Sequence, residues 1–469
     1  MIKIRCFDRA PAASQREEPK TDRVGSEGGA EGMSFAANLH DLAMRRLDEV
    51  GPIRVGLIGA GKFGSMFLSQ VPTSPPIRVS AIADIAPERA REACRHVGWS
   101  TERIAATDFI ESGLELAARD DVDVVVEATG VPAAGITHAR AAIAHARHVV
   151  MVNVEADVLA GPMLAREAAG QGVVYSMAYG DQPALVCELV SWARATGFRV
   201  VAAGKGTKYL PGYQRSTPDT VWRHYGLTPE EAESAGMNAQ MFNSFLDGTK
   251  SAIEMAAIAN ATGLGAPEDG LKFPPCPTNA LAERLKPANE GGLLAGAGMV
   301  EVVSSHEPGG RELADHLRWG IYVVFEAPNN YTRACFRQYG VVTDQSGRYS
   351  ALFRPYHLIG LELNISILSA ALRGEATGCV GAFNADVIAV AKRDLKAGEV
   401  LDGEGGFKVW GKLMPAKRSL ALGALPIGLA SGVMVTGDIA AGDPVSTNDV
   451  ILDPETEVVR LRRAMENLA

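Results

Sequence analysis

Residues 55–64 read Val-Gly-Leu-Ile-Gly-Ala-Gly-Lys-Phe-Gly, an apolar run ending in Gly59, Gly61 and Gly64 at G-x-G-x-x-G spacing. Twenty positions after Gly64, Asp84 closes the next apolar run. A strand that turns through these glycines into a helix is the fingerprint of a dinucleotide site. Gly59 permits the tight turn, Gly61 lets a pyrophosphate approach the backbone, and Gly64 lets a helix over 65–71 pack against the strand with its N–H groups aimed at phosphate. Lys62 and Phe63 stand between the last two glycines, at the helix start. The context agrees: Ile53–Ile58 and Ile77–Ala83 read as buried strands, and Asp84 stands where a carboxylate accepts from the adenosine ribose hydroxyls.

At 469 residues the chain has room for three domains of roughly 150 residues each. A net charge of −9 argues against nucleic acid or an anionic membrane as the main partner and leaves small molecules, including anionic ones met by local basic clusters. Cys6, Cys94, Cys187, Cys276, Cys335 and Cys379 lie far apart, with no C-x-x-C and no zinc spacing. No run reaches the roughly 18 apolar residues of a membrane span, and the N-terminus lacks an apolar signal core, which together point to a cytoplasmic protein with reduced thiols. Residues 1–32 mix charges with Pro, Ser and Gly without periodicity and are expected to be a disordered extension, Met33 being a candidate start. Helical spacing of apolar residues follows over 34–50.

After Asp84 the pattern continues as βα units: helices at 87–97 and 110–118, a wholly apolar strand over 122–127, and Ala128-Thr129-Gly130 at its carboxyl end. Thr129 and Gly130 should lie along the nicotinamide side of the crevice, with Asn153 at the tip of the next strand, 149–152. A further strand (173–178), Tyr179-Gly180-Asp181-Gln182-Pro183 and a helix (184–196) lead out of this first domain.

Beyond Gly197 a strand over 198–203 runs into Gly204-Lys205-Gly206-Thr207-Lys208, a loop with two lysines among glycines; such a glycine-rich strand end can hold an anion or polarise a carbonyl. Arg215 follows nearby. A helix is expected to open over 243–250 and run to Ala261, placing Asp247 and Lys250 on one face; taken alone, that pair reads as a dipole-complementing carboxylate with an exposed lysine, the alternative being a substrate-binding pair. His357, before an apolar helix over 358–372, is the best-placed histidine, although a lone histidine at a helix start is more often a cap or core residue. The last ninety residues change character: D-x-x-A-G-[ED]-x-[VL] occurs at 394–401 and again at 438–445, an internal echo predicting a compact β module of two similar hairpins. Its lysines, Lys392, Lys396, Lys408 and Lys412, read as surface residues, and a charged helix over 454–468 closes the chain.

The glycine motif, Glu127-Ala128-Thr129-Gly130, Gly204-Lys205-Gly206-Thr207-Lys208 and the D-x-x-A-G phrases together resemble the homoserine-dehydrogenase-like proteins with a C-terminal SAF domain, over roughly 33–454. That group includes the 1-deoxy-D-xylulose 5-phosphate reductoisomerase-like enzymes, which make 2-C-methyl-D-erythritol 4-phosphate for isoprenoid synthesis in some bacteria. One departure stands out. Homoserine dehydrogenases usually follow the last nucleotide-domain strand with Thr-Ala-Asn-Lys, whose lysine serves the active site, whereas here Val154 and Glu155 follow Asn153.

The resemblance implies an α/β chain: a Rossmann NAD(P)-binding domain (33–197), an α+β substrate and dimerisation domain (198–381) and a SAF-like β-clip (382–469). It implies a homodimer or higher homo-oligomer. The expected activity is NAD(P)H-dependent reductive isomerisation of a small phosphorylated ketose; the alternatives are dehydrogenation of homoserine or a related hydroxy acid, and a nucleotide-binding sensor without turnover. Candidate catalytic residues are Lys205, Lys208, Asp247, Lys250 and His357. The cofactor set is Gly59, Gly61, Lys62, Phe63, Gly64, Asp84, Arg89, Thr129, Gly130 and Asn153; Asp84 favours NAD(H), while Arg89 is placed to meet the 2′-phosphate of NADP(H). The divalent metal of conventional reductoisomerases has no local ligand motif, leaving Asp181, Asp247 and Glu301 as carboxylates that could converge.

Overall fold

The computed structural model describes residues 38–234 and 236–469. The expected extension over 1–32, Met33 and the start of the helix expected over 34–50 lie outside the described residues. β1 (Ile53–Ile58), β2 (Ile77–Ala83), β3 (Asp108–Ile110), β4 (Val124–Glu127), β5 (His148–Met151) and β6 (Tyr175–Met177) form one parallel sheet in the order β3-β2-β1-β4-β5-β6. Strands such as Val124–Glu127 are buried at every residue, as a sheet covered on both faces requires. The order reverses between β1 and β4, which opens a crevice at the strands' carboxyl ends.

The second sheet contains β7 (Arg199–Thr207), β8 (Met299–Ser304), β9 (Ile321–Glu326), β10 (Val342–Thr343) and β11 (Tyr349–Arg354), in the order β10-β11-β9-β7-β8. The expected loop at 204–208 is instead mostly strand, since β7 runs through Thr207. Packing is the reason. A Cβ on Gly204 would stand 1.9 Å from the Glu301 carbonyl oxygen, and one on Gly206 1.8 Å from that of Leu317, so the two glycines admit neighbouring backbone. Alternation along the strand turns Lys205 to the opposite face.

The single helix expected to run to Ala261 is two, Ala239–Leu246 and Thr249–Thr262, broken at Gly248, whose φ is +90°. The second is rich in alanine and isoleucine and buried from Ser251 to Asn260, as a helix apolar on every face must be. It touches the helices Val154–Gly170 and Gln182–Ala195, strand β8 and the C-terminal module, and so runs through the middle of the molecule. Further on, Leu363 and Ile367, at the start of the helix Asn364–Arg373, pack into the core of the first sheet with Val124, Val126 and Val150.

In the C-terminal region β12 (Ala385–Ala391) does not form a hairpin with β13 (Val400–Asp402); it pairs with β14 (Val409–Pro415), while β13 pairs with β15 (Ser431–Val435), which pairs with β16 (Val450–Ile451). The repeated phrases embrace each other instead of closing separate hairpins. Leu395 and Ile439 exchange both backbone hydrogen bonds, Asp394 Oδ1 accepts from Ala441 N at 2.9 Å and Asp438 Oδ1 from Ala397 N at 3.2 Å. The helix Glu457–Glu466 clamps this module down through a buried Arg462–Asp386 pair at 2.6 Å and an Arg140–Glu457 pair at 2.6 Å. No helix among the described residues is long and apolar enough to cross a membrane.

Candidate active site

At the crevice Gly59 has φ +96°, and a Cβ there would lie 2.7 Å from the Ala128 carbonyl; one on Gly64 would lie 2.5 Å from the Gly59 carbonyl. A Cβ on Gly61 would project into open space, with no atom of a more distant residue within 4 Å. The open space faces the helix Lys62–Gln70, whose first turn has no side-chain cap, so its N–H groups are free to receive a pyrophosphate. Lys62 is exposed beside them and Phe63 packs into the sheet core. Asp84 ties the turn to the end of β2: Oδ2 accepts from Ala60 N at 3.0 Å, and Oδ1 from Ala86 N at 3.0 Å and Arg89 Nη2 at 2.9 Å. Arg89 is largely exposed, whereas the Asp84 side chain is buried. On the nicotinamide side, Thr129 Oγ1 donates to Glu127 Oε1 at 2.5 Å and Gly130 turns with φ +71°. Asn153 is buried with both ends engaged: Oδ1 caps the next helix at Ala156 N, and Nδ2 donates to the Val131 carbonyl at 2.9 Å. Its visible role is to fix the backbone of the nicotinamide side.

Near the carboxyl ends of β5 and β6 charged side chains cluster about a small cleft, part of which is lined by Glu155 and Glu404. Glu155, in the first turn after Asn153, pairs with Lys250, and Lys205 from β7 pairs with Glu254, all four side chains being largely buried. Asp181 caps the helix Gln182–Ala195 through Gln182 N at 2.8 Å. Burial and then Glu254 push its carboxyl above the usual range, against the pull of Lys250 and His357. For Lys250, burial works against the charge but Glu155, Glu404, Glu254 and Asp181 outweigh it, holding the ammonium above its ordinary pKa. The His357 ring approaches the Trp319 carbonyl at 2.7 Å.

Asp247 and Lys250 do not share a helical face. The break at Gly248 makes Asp247 the cap of the preceding helix, where its fully buried carboxylate accepts from Thr249 N at 2.9 Å and pairs with Lys392 at 2.7 Å. Lys392 is therefore no surface lysine; it also donates to the Ser216 and Gly406 carbonyls at 2.8 and 2.7 Å. Nor do Asp181, Asp247 and Glu301 converge: Glu301 is buried on β8 and accepts from the backbone of Val302, Lys272 and Phe273. Among the described residues no three His, Cys, Asp or Glu side chains form a metal-ligand set. This carboxylate trio therefore does not fit a divalent cation.

At the outer end of the cleft, Lys208 Nζ donates to the His224 carbonyl at 2.8 Å. Partial burial and then Arg318 lower its pKa, with Glu312 opposing. His306 is likewise depressed by burial, Lys208, Arg318 and His316, against Glu312. Lys208, Arg318, His306 and His316 thus gather as a mainly basic rim around Glu312, which pairs with His316 at 3.1 Å, while Arg215 lies exposed at the end of the turn Tyr213–Arg215. Sequence reading missed Glu254, Arg318 and Glu404. The only local signal was Glu254 standing four residues from Lys250 within an otherwise apolar helix.

Two stretches match known families. Residues 53–155 match the oxidoreductase family with an NAD-binding Rossmann fold, and residues 180–363 match the catalytic domain of oxidoreductase DRL. Over these two stretches the chain is similar to NAD-binding oxidoreductases. Homoserine dehydrogenase from Neisseria gonorrhoeae is 30% identical over 111 residues, which span 22% of this chain and 23% of the relative. Among solved structures, a probable dehydrogenase from Thermotoga maritima is similar over 70% of this chain and 91% of its own, at 14% identity and TM-score 0.38. A DOX-P reductoisomerase in complex with magnesium is similar over 44% of this chain and 57% of its own, at 14% identity and TM-score 0.31.

Proposed function

We propose that the protein reductively isomerises a small phosphorylated ketose with NADPH or NADH, 1-deoxy-D-xylulose 5-phosphate to 2-C-methyl-D-erythritol 4-phosphate being the first substrate pair to test. The observation that supports this reading is the grouping of charges: two buried lysine–carboxylate pairs beside Asp181, and a second group in which Lys208 and Arg318 meet. Rearranging a ketose before reduction needs a proton acceptor at a hydroxyl, a cation at the developing oxyanion and an anchor for phosphate. Asp181 serves as the proton acceptor and donor. Lys205, held by Glu254, meets the oxyanion, and Lys208 and Arg318 hold the phosphate. The nicotinamide, when bound, supplies the hydride. The C-terminal module, read as SAF-like, lies outside the chemistry of hydride transfer.

The test follows the cofactor's near-ultraviolet absorbance with a panel of phosphorylated ketoses and hydroxy acids. Oxidation of NADPH that depends on a phosphorylated ketose is expected. Arg318→Met should raise KM for that substrate roughly tenfold or more, since a hydrogen bond to a charged group is worth about 1.5–3 kcal/mol, without changing cofactor affinity. Turnover confined to homoserine or another hydroxy acid would replace the reading with a dehydrogenase; tight cofactor binding without turnover on any substrate would replace it with a sensor.

A further inference from the structure

The loop between β13 and β14 is fastened at nearly every residue, to the helix Ala239–Leu246, to Lys392 and to Asp402. Gln240 Nε2 donates to the carbonyls of Asp402 and Glu404, both at 2.8 Å, and Asn243 Nδ2 to that of Gly405 at 2.8 Å. Gly405 has φ +66° and lies so close that a Cβ would stand 2.1 Å from the Gln240 carbonyl oxygen. Lys392 holds Gly406 at 2.7 Å, and the Asp402 carboxylate accepts from Phe407 N at 2.6 Å and Lys408 N at 3.2 Å. This fastening delivers one side chain into the charged cleft. Glu404 lines a small, partly open cavity together with Glu155, Asp386 and Arg462, and Lys250 and Asp247 also lie within its electrostatic reach. Asp386 and Arg462 are committed to each other at 2.6 Å, and Asp247 to Lys392 at 2.7 Å. Among the described residues Lys250 is left as the cation facing both Glu155 and Glu404; it already pairs with Glu155, and Glu254 and Asp181 also act on it. Ser244 gives Glu404 limited help, because its hydroxyl proton is directed to the Met241 carbonyl at 2.8 Å.

We propose that Glu404 is a positioning residue of this site: it keeps a proton beside the Glu155–Lys250 pair, so that Lys250 stays directed to Glu155, and the C-terminal module thereby completes the cleft. Two ionised carboxylates around one buried ammonium would leave a net negative charge out of water, which a proton on Glu404 removes. Burial and then Glu155 raise the Glu404 carboxyl to about 8, against Lys250. When that proton leaves for solvent, Glu404 competes for Lys250 and draws it from Glu155. The assignment of the cleft as the substrate site rests on the function proposed above; the proton on Glu404 does not.

The experiment compares wild type, Glu404→Gln and Glu404→Asp by two measurements. The first is kcat from pH 7 to pH 9 on a turned-over substrate. Wild type should lose turnover as pH passes about 8, Gln should abolish that alkaline loss, and Asp should restore it. The second is thermal stability against pH, which needs no substrate. A carboxyl whose folded pKa is raised from 4.5 to about 8 contributes stability that is full below the first value and lost as pH rises through the second. The decline over that window should therefore be shallower in Glu404→Gln. Identical stability slopes in wild type and Gln would overturn the buried proton. A difference in slopes with an unchanged kcat profile would overturn the positioning role. Different slopes with no turnover on any substrate would uphold the proton and count against the proposed function instead.

Discussion

Replacing Lys205 by Met separates chemistry from architecture. The Lys205 and Glu254 side chains are 6% and 4% exposed and pair with each other, and the Asp181 carboxylate is close enough to Glu254 to feel its charge. Taking away the cation leaves Glu254 buried without compensation, which costs about 3–5 kcal/mol. Combining Lys205→Met with Glu254→Gln removes the stranded charge, so most of that stability should return. Turnover should not return with it. A charge-assisted contact to a developing oxyanion is worth about 1.5–3 kcal/mol, which is roughly a ten- to hundredfold fall in kcat. Urea unfolding should show a lower midpoint in the single variant and recovery in the double. Initial rates at saturating substrate should stay low in both, and cofactor titration should give an unchanged Kd. Recovery of turnover together with stability in the double variant would refute a catalytic role and leave Lys205 as a structural ion-pair partner.

Asp84→Ser should shift preference toward NADP(H), and Arg89→Ala toward NAD(H), each by roughly tenfold in relative Kd; unchanged ratios in fluorescence titrations would remove this pair from the site. Asp157 is buried, with Oδ2 lacking a hydrogen-bond partner, and burial raises its carboxyl from 3.8 to about 7 although the Tyr175 hydroxyl opposes the shift. Its contribution to stability is full below the lower value and lost through the upper, so Asp157→Asn should flatten that decline in a Tm-against-pH series; an unaltered slope would show that Asp157 titrates normally.

How much could be read from sequence depended on whether the determining contact was local. The glycine turn and the Asp84 position follow from a short strand–turn–helix unit whose steric demands fall within thirty-odd residues, so motif and structure agree there. Gly204 and Gly206 looked like a flexible loop because the backbones they admit, those of Glu301 and Leu317, come from distant segments. The same holds for Lys392: no local pattern distinguishes a solvated lysine from one whose partner, Asp247, arrives on another element. The break at Gly248 was legible in principle, since Asp-Gly is a turn signal, but the apolar periodicity on either side masked it. In the C-terminal module the repeat was visible, whereas its reciprocal pairing was not, because similar phrases can close on themselves or on each other with equal local satisfaction.

The departure at Glu155 gains a physical meaning from the cleft. Where the resembled homoserine dehydrogenases carry a lysine directly after the asparagine, this chain has Val154 and then an acid, Glu155, and the ammonium that answers the acid is Lys250. The floor then gathers the carboxylates of Glu155, Glu254 and Asp181 against two ammonium groups, while the rim sets Lys208, Arg318 and two histidines against one carboxylate, Glu312. Under the proposed function, that gradient orients the ligand. An anionic group should point to the rim and hydroxyl or carbonyl oxygens to the floor, so a ketose whose phosphate lies several carbons from the reacting carbonyl suits both ends. A 2-hydroxy acid, with its carboxylate next to the reacting carbon, would carry negative charge onto the acidic floor, where like charges at short range in a poorly solvated site repel strongly. Competition experiments should therefore show phosphorylated ketoses displacing one another while simple 2-hydroxy acids fail to compete; effective competition by the latter would contradict this orientation of charge.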